Sequence, residues 1–113
     1  MKSVHFLNGQ LVNEDDLLIS PRDLGYSRGY AVFEFMMTSK GRPFMLEKHI
    51  DRLYRSCQEI SLNLPWPKEL ITDWAIQTLK ANESVEGKKV IRITISGGPS
   101  LTLSPAKIPT III

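Results

Sequence analysis

Leu46-Glu47-Lys48-His49-Ile50-Asp51-Arg52-Leu53-Tyr54-Arg55-Ser56 reads as the opening turns of an amphipathic helix. Ile50 and Leu53 begin an apolar series that Cys57 and Ile60 continue in steps of three, four and three, the period of one helix face. Beside that stripe stand His49, Arg52 and Ser56, spaced so that they stack along a single ridge. An arginine at the margin of a core is costly to desolvate unless it meets an anion. Its planar fork suits a carboxylate or a phosphate. From the ridge alone two readings stay open: a solvated helix flank with an internal ion pair, or a grip on a bound anion.

Working outward, the helix spans about residues 47–61 and is stopped by Leu64-Pro65-Trp66-Pro67. A second helix follows from Lys68 to Ala81, with Pro67 suited to its first turn and Trp74 as a core anchor. Upstream, Val4 to Leu7 and Gln10 to Asn13 flank Asn8-Gly9, a type I′ hairpin signal. Leu17 to Ile19 forms a short extended piece, and Asp23 to Tyr30 a loop with flexible points at Gly25 and Gly29. Ala31 to Thr38 is an apolar, aromatic strand interrupted only by Glu34, which therefore needs a partner. Lys40-Gly41 turns it into a strand from Arg42 to Leu46. Downstream, Ile91, Ile93 and Ile95 alternate with Arg92 and Thr94 in a strand from Lys89 to Ser96. A last strand begins at about Lys107. This order predicts an α+β two-layer sandwich: a mostly antiparallel sheet with two helices on one face.

The 113 residues suffice for one small domain, and 42% apolar with 23% charged residues is ordinary globular composition. Fourteen basic and twelve acidic side chains leave a net charge of +2, interspersed rather than blocked, which argues against a nucleic-acid binder. Cys57 is the only cysteine and falls on the helix stripe, as a buried small hydrophobe. No stretch has the length of a signal peptide core or a membrane span, so no membrane association and a cytoplasmic location are expected. The final run, Ile108-Pro109-Thr110-Ile111-Ile112-Ile113, reads as an open, sticky strand edge, and more chain is expected beyond Ile113.

Metal and nucleotide chemistry have little support. His5 and His49 are the only histidines and neither has a second ligand at helical spacing; no GxGxxG, GxxxxGK or GxSxG sequence occurs. Three arginines remain at informative places: Arg52 on the helix margin, Arg92 on a strand's polar face, and Arg28 in the glycine-bounded loop. Two or three of them converging would make an anion pocket.

Asp23-Leu24-Gly25-Tyr26-Ser27-Arg28-Gly29-Tyr30-Ala31-Val32-Phe33-Glu34, then His49-Ile50-Asp51-Arg52-Leu53-Tyr54-Arg55-Ser56, then Val90-Ile91-Arg92-Ile93-Thr94-Ile95-Ser96-Gly97-Gly98, resemble in order the motifs of the class IV aminotransferases. These are the fold-type IV pyridoxal-phosphate enzymes: branched-chain and D-amino-acid aminotransferases and aminodeoxychorismate lyase. The resemblance implies that residues 1–113 are the small N-terminal domain, and that the parent moves an amino group between an amino acid, branched-chain ones among the candidates, and a 2-oxo acid. It implies a homodimer and pyridoxal 5′-phosphate as cofactor. Arg52 matches the arginine that grips the cofactor phosphate, Phe33 an aromatic of the substrate pocket, and Arg92 the arginine that receives the substrate's acidic group. Glu34 and His49 match structural positions.

The departures carry meaning too. Leu24, Tyr30 and Ala31 replace the Arg, Asp and Gly of the family loop, and Arg28 stands where relatives often have an aromatic facing the pocket. Arg28 is thus expected to favour substrates with an extra carboxylate or polar group. Gly98-Pro99-Ser100-Leu101-Thr102 lacks the arginine and histidine with which D-amino-acid aminotransferases trap a carboxylate, which argues against that specificity. The lysine that forms the Schiff base with the cofactor belongs, in the family, to a C-terminal domain absent here; Lys40, Lys48 and Lys68 match turns and helix surfaces. No catalytic residue is therefore expected in this chain, and by itself it is expected to be inactive. Two rival readings are an aminodeoxychorismate lyase-type enzyme and a non-catalytic α+β binding module.

Overall fold

Asn8 and Gly9, at φ of 49° and 100°, take the left-handed pair of conformations that the hairpin signal requires. They join β1 (Val4–Leu7) to β2 (Gln10–Asn13). The computed structural model describes residues 2–113. A 3₁₀ turn at Glu14–Asp16 follows β2, and Leu17–Ile19, expected as an extended piece, joins no strand.

Asp23–Tyr30 departs from the expected loop. It contains a short helix, α1 (Leu24–Arg28), because both of its ends are chemically marked. The Asp23 carboxylate accepts the Gly25 amide at 2.9 Å, a side-chain N-cap, and Gly29 at φ 69° closes the C-terminus. Gly25 is also needed for space: a Cβ there would lie 2.7 Å from Ser96 Cβ.

β3 (Ala31–Ser39) runs through the Lys40-Gly41 turn into β4, which is only Arg42–Pro43 rather than the expected strand to Leu46. Met45 at φ 57° turns the chain out of the sheet and into α2 (Leu46–Glu59). Helix α2 ends ahead of the Pro-Trp-Pro segment. Ser61 adopts φ 58°, and the Leu62 amide donates back to the Cys57 carbonyl at 2.8 Å. Leu62 thereby takes the buried place, and Ile60, expected on the apolar stripe, is 36% exposed. Helix α3 (Lys68–Ala81) keeps the expected bounds, and β5 (Val90–Ser96) and β6 (Thr110–Ile112) complete the chain.

The six strands form one sheet in the order β2-β1-β6-β5-β3-β4, every neighbouring pair antiparallel. Strand β6 is therefore interior, lying between β1 and β5. This corrects the reading of its isoleucines as an open edge: Ile111 pairs with Ile95, and Phe6 and Ile113 exchange backbone hydrogen bonds at 2.9 and 3.0 Å. A central strand covered along both edges tolerates an apolar run of that kind, so the run is no sign of exposure.

Both main helices pack on one face, giving the two-layer α+β arrangement. Ile50, Leu53 and Cys57 from α2 and Ile71 and Ala75 from α3 meet Met36, Ile91, Ile93 and Ile95 of the sheet. Burial pushes the Cys57 thiol up to about 11, so it remains an uncharged hydrophobe. Trp74 lies against Phe6 with ring centroids 4.7 Å apart and meets Trp66 edge-on at 5.7 Å.

Asn82, just past α3, ties the layers together. Its Oδ1 accepts the Val4 amide, and its Nδ2 donates to the Val4 and Thr78 carbonyls, each at 2.8 Å. Asn82→Ala leaves these groups partly buried and unpaired, a cost of about 1–3 kcal/mol. In urea unfolding of this chain the midpoint should fall accordingly, with the slope unchanged.

Candidate cofactor and substrate site

Strand β3 has period two, so its side chains alternate between the faces of the sheet. Glu34 and Met36 point toward the helices, while Phe33, Phe35 and Met37 lie on the open face at about half exposure. A lone carboxylate on the covered face must be compensated. Glu34 is only 4% exposed, and two residues from successive turns of α2 converge on it. Arg52 donates from Nε to Oε2 at 2.9 Å and from Nη2 to Oε1 at 2.8 Å; His49 Nδ1 donates to Oε1 at 2.7 Å.

The expected ridge thus exists, and its His49 and Arg52 serve one buried anion. The Arg52 hydrogen bond is the main force holding the Glu34 carboxyl below the usual carboxylate range. Burial opposes it, and the His49 bond adds to it. Glu34 in turn raises Arg52 further. Glu34 was expected to need a partner, and this pair is it. Ser56 takes no part.

The pairing occupies one edge of the Arg52 fork and leaves the other without a partner among the described residues. The Arg52 side chain is 60% exposed. It opens on a cleft of about 250 Å³ lined by Met45, Lys48, His49, Arg52 and Arg55. A guanidinium held rigidly on one edge and open on the other is suited to receive an anion such as phosphate.

The second part of the site lies on the open face of the sheet. Arg92 and Thr94 on β5 stand opposite Phe35 and Phe33. The Arg92 guanidinium lies over the Phe33 ring, 4.5 Å from its centroid, and its Nε donates to Thr94 Oγ1 at 3.3 Å. Arg92 also reaches a cleft of about 260 Å³ that Ile19, Tyr26, Ser96 and Thr110 share. Phe33 and Arg92 are therefore together, an apolar platform beside a cation.

Arg28, the last residue of α1, is exposed and makes no ion pair or hydrogen bond with them. The three arginines do not converge on one pocket within this chain: Arg52 and Arg92 line different clefts, and Arg28 lines neither of these. The sequence shows Lys48 only as a helix-surface residue and does not single out Arg55. Their spacing of four and three from Arg52 was the available signal.

Two of the three replaced loop residues, Leu24 and Tyr30, have structural explanations. Leu24 is buried against Gly97, and the Tyr30 hydroxyl donates to the Ile60 carbonyl at 2.7 Å, bracing the end of α2.

The sign of the acid dependence follows from Glu34. Its folded value lies below the ordinary 4.5, so it contributes stability that is present above that value and lost as pH falls through the folded value. The urea midpoint of the chain should decline with acidification below about pH 4.5. Glu34→Gln should flatten that decline and cost roughly 1–3 kcal/mol near neutrality.

Residues 31–113 match the family profile described as amino-transferase class IV. The chain is 34% identical over 94 residues to D-alanine aminotransferase of Staphylococcus epidermidis, covering 83% of this chain and 33% of that protein. It is 38% identical over 103 residues to the putative branched-chain-amino-acid aminotransferase of Methanocaldococcus jannaschii, covering 90% and 35%. It is 34% identical over 95 residues to aminodeoxychorismate lyase of Bacillus subtilis, covering 84% and 32%. The branched-chain aminotransferase of Thermoproteus uzoniensis, solved with norvaline, superposes with a TM-score of 0.86 at 23% identity, over 99% of this chain and 39% of that one. The chain spans about a third of the length of the curated relatives it matches. With the family profile covering most of its length, this chain belongs to the class IV aminotransferases.

Proposed function

We propose that this chain is the small N-terminal domain of a pyridoxal-phosphate-dependent aminotransferase that exchanges an amino group between an amino acid and a 2-oxo acid. The observation that carries the reading is the Glu34-anchored Arg52, whose open fork faces a cleft. The oxygens of a phosphate monoester fit that donor edge in hydrogen-bonding geometry. Bound pyridoxal phosphate supplies the electron sink that lets an amino acid lose its Cα proton.

The residues of this chain then divide the work. Arg52 holds the phosphate, and Glu34 and His49 keep its guanidinium from swinging. Arg92, propped on Phe33, receives the acidic group of the substrate, and Phe33 gives the side chain an apolar wall that excludes water. Lys40, Lys48 and Lys68 do not fit the covalent role. Lys40 sits in a turn, Lys68 is paired with Asp51 at 3.0 Å, and Lys48 stands on the surface of α2. That role falls to a second domain of the kind its longer relatives have room for, and residues 1–113 alone are inactive.

A homodimer is part of the same proposal: Leu18, Tyr26, Leu101, Leu103 and Ile108, in α1 and the connecting loops, are exposed apolar side chains that a partner would cover. Cytoplasmic location is likewise proposed; no helix among the described residues is long and apolar enough to cross a membrane. The 34% match to the Bacillus subtilis lyase keeps a lyase of that type as the second reading.

In the full-length protein, Arg52→Ala should weaken pyridoxal phosphate binding by at least about tenfold, read by cofactor absorbance in equilibrium titrations. Equal affinity in both proteins would count against the assignment. Arg28 lines neither of the Arg52 and Arg92 clefts within this chain, so the specificity proposed for it requires the rest of the full-length protein to bring the substrate to α1. Arg28→Tyr should then lower kcat/KM for acidic amino acids by about tenfold relative to branched-chain ones. An unchanged amino-acid profile would refute a role for Arg28.

A further inference from the structure

Arg52 is a poor source of attraction for an anion. Its charge is matched by Glu34, a carboxylate buried on the covered face of the sheet and bonded to it along two N–H groups. The pair sums to zero formal charge. It offers directed hydrogen bonds at short range and little field beyond them. A dianionic ligand entering this cleft needs positive charge from elsewhere.

Helix α2 provides it by position. Lys48, Arg52 and Arg55 lie at i, i+4 and i+7, on one ridge, and all three line the same cleft of about 250 Å³. Lys48 and Arg55 are exposed and enter no ion pair or hydrogen bond among the described residues. The acidic residues of the first two turns of α2 are sorted to its other flank. Glu47 and Asp51 face the groove toward α3, where Asp51 is paired with Lys68. On the cleft side Lys48 and Arg55 therefore flank the neutralised arginine without an ion pair among the described residues, and the acidic side chain farther along this ridge, the exposed Glu59, does not line the cleft.

We infer that Lys48 and Arg55 supply the charge that draws and retains a phosphate monoester in this cleft, while Arg52 supplies the directional grip. The inference rests on the proposed function for its ligand, and it assigns roles to two residues that the reading does not use. It also makes a distinction that can be measured. Arg52 sets the geometry of the contact, whereas Lys48 and Arg55 set its dependence on ligand charge and on salt.

The test is equilibrium titration of the full-length protein with pyridoxal 5′-phosphate and, separately, with phosphate-free pyridoxal, at several salt concentrations. Lys48→Gln and Arg55→Gln should each weaken pyridoxal phosphate binding about fivefold at low salt, and the double variant more. All should bind pyridoxal as the wild type does, with a shallower salt dependence for the phosphorylated ligand. Arg55→Lys, which keeps the charge, should restore both affinity and salt dependence. Both positions are exposed, so the thermal midpoint should not move. Wild-type affinity and an unchanged salt dependence in the double variant, with Arg52→Ala still weakened, would overturn this inference alone. Failure of the wild-type protein to bind pyridoxal phosphate would overturn the proposed function and this inference with it.

Discussion

A carboxylate almost wholly removed from water, Glu34 in the middle of β3, is held by Arg52 and His49 of α2. Left alone in that position it would be strongly destabilising, because the neighbouring side chains on the covered face are apolar. Two hydrogen-bonding residues one turn apart meet this demand only if α2 crosses the sheet at one height and one rotation. The interaction therefore works as a register device between helix and sheet. The nearby packing of Ile50, Leu53 and Cys57 is non-directional and would tolerate small slips; the bidentate bond does not.

The same contact shapes the functional surface. With one edge of the guanidinium bound inward, the other is presented outward in a fixed orientation, with little conformational freedom left to lose on meeting a ligand. On the open face of the sheet, Arg92 is restrained by a different device, the face of Phe33 and the Thr94 hydroxyl. Two cations lining different clefts are thus held by unrelated means. The alternation of β3 separates them: Glu34 faces the helices and Phe33 the open side. Adjacent residues of one strand thereby hold two different arginines, Glu34 holding Arg52 and Phe33 holding Arg92.

Legibility varied with the range of the forces involved. The Asn8-Gly9 hairpin, the bounds of α3 and the alternation of β5 were all readable, because each is set by backbone preferences or periodicity within a few residues. Helix α1 was missed although its cap, Asp23, and its terminator, Gly29, are both local signals; its single buried residue, Leu24, gives no periodicity to detect. The end of α2 is not legible because Ile60 continues the apolar rhythm, while the helix stops at Glu59 and the turn through Ser61 gives the buried place to Leu62.

The residues themselves determined that Glu34 needed a partner, that Arg52 stood at a core margin suited to an anion, and that Arg28 and Arg92 were candidates for the chemistry, whereas Phe33 became one only through the family resemblance. Composition and spacing carry that much because desolvation and period act on each segment separately. Only the tertiary structure decided that the partner of Glu34 was Arg52 itself, that Phe33 and Arg92 touch while Arg28 stands apart, and that the terminal isoleucines lie inside the sheet. Each of these outcomes joins segments remote in the chain. Strand order and the helix crossing are set by the burial of the whole core at once, and no single segment carries that information.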